Sequence, residues 1–159
     1  MKYKVAPEPR SLAFLGDAQA TLPLVPSPDQ DCCARLMDGT DVAVREDAQE
    51  WITFLQALGL VTETDRGYKR EGVDPDEADL GAAFRERVYA AADVLDALES
   101  VGPADADAVF EEVRDVVPQW ERNRVPDWEA AWVGRVERLL EWAVRFDLVE
   151  RDGDAYRSL

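Results

Sequence analysis

The chain has 159 residues, with 34 acidic side chains against 18 basic ones and a formal charge of −16. Its 47% hydrophobic content is enough for one good core or two small ones. No apolar run approaches the roughly 18–20 residues that cross a bilayer, and Met1-Lys2-Tyr3-Lys4 leads into proline and charge, so the expectation is a soluble, cytoplasmic protein without membrane contact.

In chain order, residues 1–26 read as extended. Ser11 to Leu15 and Ala20 to Leu24 are the arms of a hairpin around Gly16-Asp17-Ala18-Gln19, with Pro23 confining its strand to an edge. Ser27-Pro28-Asp29-Gln30 has the signature of a helix start, and the helix carries Cys32, Cys33, Leu36 and Met37 as far as Gly39. Thr40 to Val44 is a short turn or helix. From Arg45 to Leu58, Ala48, Trp51, Ile52, Leu55 and Leu58 recur at helical spacing, which places one apolar stripe inward. Gly59 ends that helix, and Leu60 to Arg70 forms a hairpin.

Residues 71–79 form an acidic linker containing a proline. Leu80, Phe84, Val88, Ala91, Leu95 and Leu98 then alternate at four and three, predicting a continuous helix over 80–99. That spacing fits a packed core first and a coiled-coil seam second, so a homodimer through this helix is a further expectation. Gly102-Pro103 breaks the chain before a helix over Ala104 to Val117, which Pro118 stops. Pro126 opens the longest helix, with Trp128, Trp132, Val136, Leu139, Leu140, Ala143 and Phe146 on one side, and Leu148 to Arg157 is a second hairpin turning at Asp152-Gly153.

The two hairpin regions repeat. Leu58 to Arg70 aligns without gaps on Phe146 to Ser158, 88 residues later, with Leu60 on Leu148, Val61 on Val149 and Tyr68 on Tyr156. The fold class that follows is mainly α with small β-hairpins, in two copies of one small unit. The segments are 1–26, a first unit at 27–70, the linker 71–79 and a second unit at 80–159.

The bases are 15 arginines and three lysines, at Lys2, Lys4 and Lys69. Acid excess with scarce lysine resembles proteins of salt-accumulating halophiles, especially haloarchaea. A dense carboxylate surface stays hydrated where the Debye length has fallen to roughly 3 Å, at molar salt. The acid is uneven: Glu71 to Glu112 holds 13 acids against Arg85 and Arg87, whereas Val113 to Leu159 holds ten acids against eight arginines.

Histidine is absent, which removes the usual general base, the usual triad partner and the commonest metal ligand. No glycine-rich phosphate loop is present. The two cysteines are the adjacent pair Cys32-Cys33, better suited to packing on a helix than to a disulfide or a zinc site. No catalytic activity, metal or cofactor is expected.

A helix running through Leu-Val into a short hairpin, twice, resembles tandem winged helix-turn-helix domains. In DNA-binding members, the resemblance implies that the helix before the hairpin enters the major groove while the wing touches phosphates. Applied here, the reader is the second unit, through Arg122, Arg124, Arg135, Arg138, Arg151 and Arg157, with Arg66, Lys69 and Arg70 on the first wing. The implied partner is double-stranded DNA in a transcription-linked role. The alternative is a protein or peptide partner held on the same scaffold without nucleic acid. One contiguous positive patch around Arg124, Arg135, Arg138 and Arg151 argues for DNA, and dispersal into ion pairs argues for protein.

The first unit also resembles the peptide-recognition domains of ribosomal-peptide maturation systems. That resemblance rests on the N-terminal hairpin, on Leu36-Met37-Asp38-Gly39-Thr40 and on Leu58-Gly59-Leu60-Val61. It implies a peptide bound as an added strand.

Overall fold

The computed structural model describes Tyr3 and residues 6–159, and it divides into two compact units, one ending at Tyr89 and one running from Ala90 to Leu159. The first unit contains α1 (Leu12–Ala20), α2 (Asp29–Gly39), α3 (Arg45–Ala57), β1 (Val61–Thr64), β2 (Gly67–Arg70) and α4 (Leu80–Arg87). The second contains α5 (Ala91–Val101), α6 (Ala106–Val113), a 3₁₀ turn at Arg114–Val116, α7 (Gln119–Arg124), α8 (Trp128–Arg145), β3 (Val149–Asp152) and β4 (Ala155–Ser158).

Both hairpins form where the sequence places them, and the repeat extends to the backbone. Gly59 and Asp147 both take a positive φ, at 81° and 59°, and end the preceding helix. The Leu60 N–H then reaches back to the Leu55 carbonyl at 2.9 Å, and the Leu148 N–H to the Ala143 carbonyl at 2.9 Å, which closes each helix on a left-handed residue. Strand registers match as well, Val61 facing Arg70 and Val149 facing Ser158. In each unit the wing tyrosine also pairs with the chain entering the second helix. Tyr68 exchanges both backbone bonds with Ser27, at 2.8 and 3.0 Å, and Tyr156 does so with Ala104, at 2.8 and 3.1 Å. Ser27 is therefore a strand partner, and the helix it was expected to cap starts at Asp29 with Pro28 before it.

The N-terminal expectation is overturned. Residues 12–20 are a helix, because the Ser11 hydroxyl accepts from the Phe14 N–H at 3.2 Å, and Phe14, Leu15, Ala18 and Gln19 make one buried face. Gly16-Asp17, expected as a turn, lies inside this helix. The part of the expected extended segment at residues 1, 2, 4 and 5 lies outside the described residues. Without an N-terminal hairpin, the resemblance to peptide-recognition domains loses the element it began with.

Gln19 explains why α1 is needed. Its buried amide nitrogen lies 3.2, 3.1 and 3.0 Å from the carbonyls of Leu60, Glu71 and Val73, tying the base of the wing to α1. Gln19→Leu keeps the volume and leaves carbonyls without a donor, so we expect a loss of about 2 kcal/mol in denaturant unfolding at fixed KCl. An unchanged midpoint would show that the amide is dispensable.

The continuous 80–99 helix is also corrected. It breaks at Val88–Ala90, where Tyr3 pairs as a strand residue: its N–H donates to the Arg87 carbonyl at 2.7 Å and its carbonyl accepts from Tyr89 at 2.8 Å. Ala90 takes φ 69°, which no helix continues through. Leu80, Phe84 and Val88 are buried in the first unit and Ala91, Leu95 and Leu98 in the second, so the heptad spacing is core packing and leaves no seam for a dimer. The division accordingly falls after Tyr89 and not in the 71–79 stretch.

Candidate functional site

In the second unit the helix preceding the wing is α8, whose buried stripe is Trp132, Val136, Leu139, Leu140, Trp142 and Ala143. The connection leading to it, from Pro118 to Val125, contains α7, which meets the Trp128 and Trp132 side chains of α8. The Trp132 indole N–H donates to Glu121 Oε2 at 2.6 Å. The Arg122 guanidinium sits 4.8 Å from the centre of the Trp128 ring and donates to the Arg114 carbonyl at 2.5 Å. Arg114 lies over the same ring at 5.2 Å and pairs with Glu129. These contacts lie against the Trp128 and Trp132 side of α8, while Glu129, Ala130 and Ala131 in its first turn stay exposed.

Several of the predicted contact arginines are engaged within their own unit. Arg122 and Arg135 turn onto indoles, Arg135 lying 4.5 Å from the Trp132 ring centre. Arg122 Nε and Arg135 Nη1 are buried without a hydrogen-bond partner, and the ring faces supply the attraction instead. Arg151 pairs with Glu141 at 3.3 Å, and Arg157 with Glu150. Arg70 donates to the Ala20 carbonyl at 3.3 Å. Arg138 and Lys69 are half-buried, while Arg66 and Arg124 are exposed. Along the outer face of α8 the exposed positions are Ala130, Ala131, Gly134 and Glu137.

Glu141 is a joint that sequence reasoning missed. It accepts from the Tyr156 hydroxyl at 2.6 Å and lies 3.4 Å from Arg145 and 3.3 Å from Arg151, fastening the wing to α8. Burial first, and the Glu141 carboxylate second, raise the Tyr156 hydroxyl above its ordinary pKa. Burial and Glu63 do the same to Tyr68. The only available signal was Glu141 falling four before Arg145 on a helix.

In the first unit the equivalent helix is α3. Its approach is open, since the Thr40 hydroxyl donates to the Leu36 carbonyl at 2.7 Å and accepts from the Val42 N–H at 3.2 Å to make a tight link between α2 and α3. The exposed first turn, however, carries Glu46 and Asp47 beside Arg45, and Gln49 is bonded to Asp29 at 2.9 Å. The first unit has the shape of a reader with the wrong charge, whereas the second has the cations, several of them held by indoles and carboxylates.

Cys32 and Cys33 are buried, and burial with Asp29 nearby pushes the Cys33 thiol up to about 11, so neither is a thiolate near neutral pH. A cleft of about 430 Å³ beside α1 is crossed by Arg10, which binds both oxygens of Asp41, at 2.5 and 3.1 Å, above the Phe14 ring. Among the described residues no cluster of His, Cys, Asp or Glu could hold a metal, and no helix is long and apolar enough to cross a membrane.

Each unit thus has four α-helices, a wing that follows α3 in the first and α8 in the second, and a strand pairing between the wing and the entry to the second helix, and these features define a tandem winged-helix protein. The chain belongs to the halobacterial double winged helix domain family, whose model matches residues 1–159. No curated protein and no solved structure matches it.

Proposed function

We propose that the chain is a non-catalytic, cytoplasmic interaction module whose winged-helix scaffold engages a protein partner instead of reading duplex DNA. The observation that carries this is that arginines of the second unit are held inside it, Arg114 and Arg122 over Trp128, Arg135 over Trp132, Arg151 on Glu141 and Arg157 on Glu150. Cations that should meet phosphates are in these cases held by indoles and carboxylates instead. Salt argues the same way. Phosphate contacts draw their strength from counterion release, which fades as salt rises, and the composition is built for high salt.

Transcription-linked DNA binding is the second reading. It is favoured by Arg66 at the tip of the first wing, by Arg124, and by the open approach to α3. Fluorescence anisotropy of labelled duplex DNA, across a KCl series in which the fold is intact, separates the two. We expect no saturable binding, and no difference between the native chain and an Arg135→Glu, Arg138→Glu double variant. Saturable binding that the double variant loses would reinstate the DNA reading with α8 as the reader. Saturable binding that it keeps would transfer the role to the first unit.

A further inference from the structure

We propose that the α7 edge of the second unit is a self-association surface whose partner is a second copy of this chain; this rests on the protein-partner reading above. Trp120 on α7 is 52% exposed and Val125, which caps that helix, is 40% exposed. Pro118 and Pro126 fix the backbone on either side. Side chains this apolar are costly to leave in water and typify the centre of a contact.

Charge decides the occupant. Two copies of a chain at −16 repel across most of their surface, but from Gln119 to Trp128 the charges are Glu121, Arg122, Arg124 and Asp127, which cancel. Glu121 is held by Trp132 and Arg122 lies over Trp128, so the exposed pair is Arg124 and Asp127, of opposite sign. A two-fold axis through this edge sets Arg124 of one protomer against Asp127 of its partner, twice, around a centre of Trp120 and Val125. Such a patch is complementary to itself. A nucleic acid laid here would meet Asp127 and Glu129 instead. The exposed Leu24–Val25 pair of the first unit is the nearest rival, but residues 21–28 around it hold no pair of opposite charges to set a register.

Sedimentation velocity over a concentration series in multimolar KCl tests this. The native chain should shift from monomer to dimer with concentration. Trp120→Ala and Val125→Asp should each weaken dimerisation about tenfold or more while leaving the circular dichroism unchanged. Arg124→Asp should weaken it and Arg124→Asp with Asp127→Arg should restore it, an outcome that needs no apolar substitution. A native chain that stays monomeric at every concentration overturns the proposal, as do variants that dimerise like the native chain. A monomer that also ignores DNA removes this surface and leaves the protein-partner reading intact, whereas saturable DNA binding defeats that reading whatever the oligomeric state.

Discussion

Gly67→Ala should unfold the first wing while a change at the glycine of the second wing, Gly153→Ala, is tolerated. At Gly67 the backbone has φ +121°, and an added Cβ would sit 1.9 Å from the Ser27 carbonyl oxygen, 2.3 Å from its carbon and 2.8 Å from the Pro28 nitrogen. All three are backbone atoms, so no rotamer change relieves the clash. The chain must separate there, breaking the two bonds between Ser27 and Tyr68 and adding strain in a region closed to L residues. We expect a cost of roughly 3 kcal/mol or more. Gly153 has φ +63° and open space around it, so alanine there meets only the left-handed penalty, about 1–2 kcal/mol. Hydrogen exchange gives the reading: the Ser27 and Tyr68 amides should lose protection in Gly67→Ala, and the Ala104 and Tyr156 amides should keep theirs in Gly153→Ala. Protected Ser27 and Tyr68 amides in the first variant would mean that the wing slides without opening.

The same pair shows how far the sequence could be read. Aligned 88 apart, Gly67 falls on Ala155, so the two wings reach one register with glycine in different places. Leu60, Val61 and Tyr68 were legible because closing a helix into a wing fixes a small set of backbone bonds and apolar positions, and those bonds recur at Leu148, Val149 and Tyr156. The environments are less alike than the backbone. Leu60 is fully buried whereas Leu148 is half-buried, and it is Gln19 on α1 that reaches the Leu60 carbonyl.

What escaped the sequence depended on partners far along the chain. A serine cap and two buried pairs four apart were enough to make 12–20 helical, but Gly16-Asp17 carries a turn signal of equal local strength. The heptad over 80–99 was real as a pattern of buried positions and misleading as a helix, because Tyr3 enters as a strand partner at Val88. The candidate site suffered most. Among the arginines clustered in sequence from 122 to 157, Arg122 and Arg135 find indoles and Arg151 and Arg157 find carboxylates, partners that spacing along the chain does not reveal, and the short α7 lies between two prolines.

Raising KCl from about 0.2 M to about 3 M should lift the thermal midpoint by about 10 °C or more, which for a chain this size amounts to a few kcal/mol. The argument rests on where the acids stand. Between Ala91 and Val113, over α5 and α6, there are seven acidic side chains and no basic one, on two helices that pack together. Asp105 caps α6 and Glu111 pairs with Arg114, but the helices as a whole carry a large excess of like charge that repels itself in dilute buffer. On α8 the opposite holds: Glu129 and Glu141 are each paired with arginine. Screening should therefore stabilise α5 and α6 most, and hydrogen exchange at low salt should open them before α8. Sucrose is the control, since it favours burial through exclusion from the surface without shielding charge. A midpoint that sucrose raises as far as KCl does, or one that stays flat with KCl, would remove charge repulsion as the cause. The acidic surface would then have to be explained by solubility alone.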